Sequence, residues 1–308
     1  MEAILKFITQ TLIIIKTQSS RRARILKNDF YIRHRMNRQK IGVDLGGTKL
    51  LILCDEIEEI FSTGISFTPE ELISHLQSFI LKHGIKPESI SLAVPGLVNE
   101  YGHIINCDVL PAFIGWQGND ALKLLCSKTI ILNDVKAAMH AELNDSSSHV
   151  ASGIIMIGTG IGAAFIINGK PLLGASGWAG ELGYLPVKSN EGIKRLDEVA
   201  SGSAIAKQCA LSPSNLALMA NNGDQATLTV IKEAGTALGL GIATVINLLN
   251  PSQLVVGGGT IELPGYLDAA LKSAKENCLP ELWQDCDISK VKAGRKVAAL
   301  GAIRAIEQ

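Results

Sequence analysis

Six cysteines in 308 residues form no C-x-x-C pair anywhere in the chain. Cys54, Cys107, Cys126, Cys209, Cys278 and Cys286 lie scattered, which argues against a disulfide framework and predicts reduced thiols in a cytoplasmic setting. Aromatic residues are scarce, at 5%, and no short period recurs, so solenoid and collagen-like architectures are excluded. Plentiful Val, Ile and Leu exclude a disordered chain. Net charge is absent as well, with 29 basic and 29 acidic residues. That balance is uneven along the chain: residues 1–40 hold ten Lys/Arg against Glu2 and Asp29, and the remainder carries −8. So acidic a body predicts no nucleic-acid partner. The apolar run at 4–15 is broken by Lys6, Thr9, Gln10 and Thr11 and is too short to span a bilayer, so no membrane partner is expected.

What the chain does have is a 47% hydrophobic content and thirty glycines, enough core for two domains rich in tight strand-to-helix turns. The basic stretch from Arg21 to Lys40 admits three readings. It is an Arg-rich targeting peptide, a nucleic-acid or membrane-surface arm, or an extension outside the fold with translation starting at Met36; the last is the expectation. From Ile41 the pattern is regular. Strands are predicted at Ile41 to Leu45 and Leu50 to Cys54 around Gly46-Gly47-Thr48, a helix at Pro69 to Lys82, and a strand from Ser91 into Pro95-Gly96. A hairpin near Gly102, a helix over Asp120 to Cys126 and a strand into Asn133-Asp134 follow. Ser152 to Ile157 and Ile161 to Ile167 read as strands around Gly158-Thr159-Gly160, with Asn168-Gly169 a hairpin turn. Helices are then predicted at Leu196 to Cys209, Ser214 to Asn221 and Asp224 to Leu249. A strand into Gly257-Gly258-Gly259 and helices at Pro264 to Glu276 and Arg295 to Ile306 complete the chain.

The glycine clusters suit oxyanions, because backbone N–H groups can approach without a Cβ in the way; any one of them taken alone is also a plain tight turn. Two familiar phosphate motifs are nearly present and fail. Gly42 to Gly47 is followed by Thr48-Lys49, where a P-loop needs Lys-Ser/Thr and then a helix. Gly158-Thr159-Gly160-Ile161-Gly162-Ala163 fits a dinucleotide fingerprint, but a second strand follows it and not the helix whose N-terminus would hold a pyrophosphate. Hydride transfer is thereby excluded. Asn133-Asp134, at a strand-to-helix junction, is by default a turn and an N-cap. Asp134 is also suitably placed to accept a hydroxyl proton in an α/β cleft.

Asp44-Leu45-Gly46-Gly47-Thr48-Lys49, Ala93-Val94-Pro95-Gly96, Asn133-Asp134, Gly158-Thr159-Gly160-Ile161-Gly162, Gly177-Trp178-Ala179-Gly180-Glu181-Leu182-Gly183 and Val256-Gly257-Gly258-Gly259 occur in that order. Together they resemble the ROK family of sugar kinases and repressors, in the actin-like superfamily, from about residue 40 to the C-terminus. The resemblance implies a two-lobed α/β fold of actin-like, ribonuclease H-like type with a cleft between lobes. Residues 41–134 plus about 295–308 would form the first lobe and 135–294 the second, after a basic extension at 1–40. It implies an ATP-dependent carbohydrate kinase with Asp134 as general base, using ATP and Mg²⁺. Gly46, Gly47, Thr48 and Lys49 would lie by the transferred phosphate, Gly158, Thr159 and Gly160 by the others, and Gly257, Gly258 and Gly259 by the adenosine. Asp44 would hold Mg²⁺ through water. Gly96, Asn133, Asp134, Glu181, Tyr184 and Asp197 would line the sugar site. A small-molecule sugar is the expected partner, and a homodimer the expected assembly.

Two departures from the family pattern stand out. Tyr184 replaces the His that many members carry after Glu-x-Gly, and Ser189 to Arg195 holds no Cys or His, so no structural zinc is expected. Asp197, with Glu198 beside it, replaces a sugar-binding Glu and is one methylene shorter. The sugar is therefore left open between a hexose and an N-acylhexosamine. Two alternative readings are a polyphosphate-dependent glucokinase-like enzyme and a non-catalytic sugar-sensing regulator.

Overall fold

The computed structural model describes residues 39–143, 151–189 and 192–307; the readings placed on residues 1–38 lie outside them. Local chemistry explains the first helix well. Thr68 caps α1 (Pro69–His83) by accepting from Glu71 N, Glu71 returns the bond to Thr68 N, Pro69 fills the first turn, and Gly84 ends the helix at φ 61°. Its buried face of Leu72, Leu76 and Phe79 covers a five-stranded sheet of order β3-β2-β1-β4-β7. These strands are β1 (Gln39–Leu45), β2 (Lys49–Cys54), β3 (Ile57–Ser62), β4 (Pro87–Val94) and β7 (Thr129–Asn133). A short hairpin, β5 (Leu97–Val98) and β6 (Ile104–Asn106), and helix α2 (Gly118–Lys123) lie between β4 and β7.

After α3 (Asp134–Glu142) the second sheet repeats the first in topology. Its order is β10-β9-β8-β13-β14, from β8 (Ala151–Ile157), β9 (Ile161–Ile167), β10 (Lys170–Pro171), β13 (Gln253–Gly257) and β14 (Asp287–Lys290). In both sheets the first three strands are antiparallel and the last two join in parallel. Asn168 and Gly169 turn β9 into β10 at φ 51° and 72°, as a two-residue hairpin with the favoured twist requires. Between β10 and β13 come the hairpin β11 (Pro186–Ser189) and β12 (Gly192–Arg195), then α4 (Asp197–Ala200), α5 (Gly202–Gln208), α6 (Pro213–Asn221) and α7 (Gln225–Leu249). Helices α8 (Tyr266–Asn277), α9 (Pro280–Asp285) and α10 (Val297–Ala305) complete the described chain. This is the two-lobed actin-like arrangement expected from the motif order.

Length and apolar content alone would let α7 cross a bilayer, but Ile231, Leu238, Ile242 and Ile246 are fully buried in the core of the second lobe. One expected helix is corrected. Leu196 to Cys209 is not continuous: Ser201 adopts an extended backbone at φ −73°, ψ 161° and caps α5 by accepting from Ala204 N, because a Ser side chain competes with the helix for backbone donors. Strands β3, β11, β12 and β14 and helix α9 were not foreseen.

Helix α3 lies between the two sheets. Ala137 joins Ala93 of β4 with Ala298 and Ala302 of α10 in one small cluster, while Ala138, Met139 and Leu143 pack on Ile154, Ala164, Ile166 and Val255 of the second lobe. The close approach is made possible by Gly301, where a Cβ would sit 1.6 Å from Ala137 O. The element that carries Asp134 is therefore held on both sides by packed small residues.

Candidate active site

Asp134 is the first residue of α3, and Asn133 is its N-cap. Asn133 Oδ1 accepts from Val135 N at 3.0 Å and Lys136 N at 3.2 Å, and its Nδ2 donates to Gly96 O at 2.9 Å. The cap role is thus taken by Asn133, and the Asp134 carboxylate accepts from Val135 N at 2.9 Å. It faces a cleft cavity of about 440 Å³ that is also lined by Asp44, Lys49, Gly257, Gly258 and Gly259, a size suited to a small-molecule ligand. Desolvation, followed by the negative charge of Asp44, pushes Asp134 up to about 7, against the pull of backbone N–H groups.

The charges around it are arranged in two acid–lysine couples. Asp44, at the end of β1, is raised by desolvation to about 6 and eased by Lys49. Glu181 is raised by partial desolvation and eased by Lys136. Asp44 and Glu181 both act on Asp134, and each raises it further. A carboxylate with a proton affinity near neutrality that faces a cavity is what a general base requires.

The loops differ in how the fold uses their glycines. At Gly158 and Gly259 a Cβ would meet nothing within 4 Å, so the fold itself has no steric need for glycine there, and the open space suits a ligand approaching the backbone. Gly258 is different: it holds φ +97°, and a Cβ would lie 2.2 Å from Ile157 O. The Gly158 turn is anchored from behind. Gly158 O accepts from Gly202 N at 2.8 Å and from Thr260 Oγ1 at 3.1 Å, and Thr159 O accepts from Ser203 Oγ at 2.6 Å. On the other hairpin, Gly46 N donates to Lys49 O at 2.8 Å and Thr63 Oγ1 donates to Gly46 O at 2.7 Å.

Not every expected residue faces the same space. Gly46, Gly47, Thr48, Gly158, Thr159 and Gly160 do not line the 440 Å³ cavity. Asn133 borders a second cavity of about 400 Å³ together with Lys136, Gly177, Glu100 and Tyr101. Gly96, Glu181, Tyr184 and Asp197 line neither. Asp197 Oδ1 accepts from Ile161 N at 2.6 Å and its carboxyl lies 2.7 Å from the Cβ position of Gly183. Its short side chain is thus tied to the base of the glycine hairpin. Tyr184 is 57% exposed, with the Arg195 guanidinium 4.9 Å from its ring centroid. Arg195 also pairs with Glu198 at 3.4 Å. Lys290, Arg295, Val291 and Glu262 line the main cavity and were not foreseen. Lys290, Val291 and Arg295 come from β14 and the turn after it, a short segment with only a weak strand signal, and Glu262 from the 3-10 turn that follows β13.

The family model of the ROK family matches residues 40–308. The chain belongs to the ROK family. A glucokinase of Halalkalibacterium halodurans is 25% identical over 316 residues, covering 86% of this chain and 94% of that protein. A xylose repressor of Bacillus spizizenii is also 25% identical, over 279 residues, covering 84% of this chain and 71% of the repressor. Among solved structures, a ROK family glucokinase from Streptomyces griseus in complex with glucose and AMPPNP superposes with a TM-score of 0.72 at 22% identity, covering 87% of this chain and 98% of that one. The family thus joins sugar kinases to repressors, and membership alone does not choose between them.

Proposed function

We propose that this ROK protein is an ATP-dependent kinase for a hexose or N-acylhexosamine, with Asp134 as the general base. The observation that carries the proposal is the charge pattern of the cleft: Asp134 faces the main cavity and is raised to about 7 by desolvation and by Asp44, while Asp44 and Glu181 are each eased by a lysine. Phosphoryl transfer to an alcohol needs a carboxylate of this kind to take the hydroxyl proton. The glucokinase relatives named above, one of them with glucose and AMPPNP, support the same reading. Six free cysteines, none of them in a disulfide, are in keeping with a cytoplasmic enzyme.

In this proposal the sugar lies against Asn133, Glu181 and the Gly96 turn, with one hydroxyl at Asp134. The nucleotide phosphates lie along Gly46 to Lys49 and Gly158 to Gly160, and the adenosine at Gly257 to Gly259. Lys49 neutralises phosphate charge from the β1–β2 hairpin. Two carboxylates facing one cavity form a hard oxygen donor set that fits Mg²⁺ completed by water and phosphate; Asp44 would hold it, and it would supply further charge neutralisation. Asp197 and Tyr184 act on the sugar through the loop they support.

Two measurements test this. Wild-type protein with ATP and Mg²⁺ is expected to release ADP with one or a few sugars of a hexose and aminosugar panel and not without sugar. ADP release that ignores every sugar would refute the proposal. The pH dependence is also specified. In the free enzyme kcat/KM is expected to fall as pH drops below about 7, when Asp134 takes its proton, and to fall more steeply once Asp44 follows near 6. Asp44→Asn removes the negative charge that raises Asp134, so the residual activity of that variant should have its acid limb at lower pH. An acid limb unmoved by this substitution would show that the two carboxylates do not communicate.

A further inference from the structure

Two residues after Asp134, the Lys136 ammonium donates to the Gly177 carbonyl. Gly177 opens the segment that carries Glu181, and the charges of Lys136 and Glu181 attract one another. The ammonium is half-buried and desolvated, which gives a hydrogen bond to it more weight than one at the surface. The same loop touches the first lobe: at Gly177, which holds φ +82°, a Cβ would lie 3.8 Å from Glu100 N and Val98 O. Residues 133–136 each touch a different part of the cleft. Asn133 holds Gly96 O at 2.9 Å, Asp134 faces the main cavity, Val135 Cγ2 lies 2.8 Å from the Cβ position of Gly162, and Lys136 holds the loop. A long neutral side chain fits the same space but neither donates to Gly177 O nor attracts Glu181.

We propose that Lys136 is a positioning residue that latches the loop of residues 174–183 to the catalytic helix, and that it sets acceptor affinity and not the rate of transfer. Giving the loop to the sugar rests on the kinase reading above; the latch itself does not. With Lys136 in place the loop lies over the N-terminus of α3, and Glu181 stands beside Asp134 before any ligand arrives. Binding then need not order the loop, and that preorganisation appears as affinity.

Trp178 lies in this loop and is one of three tryptophans in the chain. With Trp116 and Trp283 replaced by Phe, its fluorescence reports the loop alone, independently of catalysis. In that background Lys136→Met is expected to make Trp178 roughly twofold or more accessible to acrylamide, as an opened loop exposes what it covered. It should raise the sugar KM about tenfold or more, the value of a lost charged hydrogen bond, while kcat stays within about threefold. Lys136→Arg, which keeps the charge and the donors, should restore most of both. Unchanged quenching and KM in Lys136→Met, or an Arg variant no better than Met, would overturn the latch. A wild-type protein that transfers phosphate to no sugar would refute the kinase reading instead, and the quenching comparison would still decide the latch.

Discussion

Asp134→Asn is expected to lower turnover by about 10² to 10⁴, the usual contribution of a general base, while sugar and nucleotide still bind. The same substitution should make the protein more stable at pH 8. The Asp134 carboxyl has an ordinary value of 3.8 and stands at about 7 in the folded cleft. Between those two values the folded protein holds a proton that the unfolded chain has released, so wild-type stability rises as pH falls through this window. Above 7 the charge is retained in the cleft at a cost, and Asn carries none. The variant should therefore melt higher at pH 8 by on the order of 2–4 °C, and the gap should close as pH approaches 4. Turnover lost while stability is gained marks a side chain kept for chemistry. Turnover retained, with stability lost, would mark Asp134 as a turn residue.

The second large effect is expected far from any ligand. Gly301→Val places side-chain atoms where even a Cβ would sit 1.6 Å from Ala137 O. The obstacle is the backbone of α3 itself, so no rotamer relieves it, and α10 must move away from the helix that carries Asp134. A loss of at least about 3 kcal/mol is expected, at the upper end for overpacking, with melting lowered by roughly 6–12 °C. Activity measured well below the new melting point should fall further than the folded fraction does, because Ala137 is three residues from Asp134 on the same helix. Gly64→Ala, where a Cβ would meet nothing within 4 Å, serves as the control and should change stability by about 0.5 kcal/mol at most. Urea unfolding of the two variants beside wild type checks both values. Equal stabilities would show that the α3–α10 contact does not hold the lobes together.

Legibility from sequence depended on range. The capped helix α1, the two β–turn–β units at Gly46 and Gly158 and the Asn168-Gly169 turn were readable because their signals are local. Asp44, Lys49, Asp134 and Gly257 to Gly259 were foreseen from motif order, and the fold brings them to one cavity. Ser201 was missed because a single extended residue inside an apolar run leaves the helical period almost intact. Strand β3 reads Ile57-Glu58-Glu59-Ile60, without the alternation of a half-buried strand. Its place is fixed by pairing with β2. Lys290 and Arg295 reach the cleft only because β14 lies parallel to β13, a long-range fact with no local trace. The matching topology of the two sheets was implied by the family resemblance alone, since no sequence repeat accompanies it. Asn133-Asp134 read by default as a cap. The structure divides the pair: Asn133 satisfies the helix N-terminus, which leaves Asp134 to the cleft.

The most direct test is the mass of the acceptor after incubation with ATP, Mg²⁺ and wild-type protein, run beside Asp134→Asn. One sugar gaining a single phosphate with wild type, and not with the variant over the same interval, is the predicted result. An acceptor phosphorylated equally by both proteins, or ATP consumed with every sugar unchanged in mass, would contradict the account.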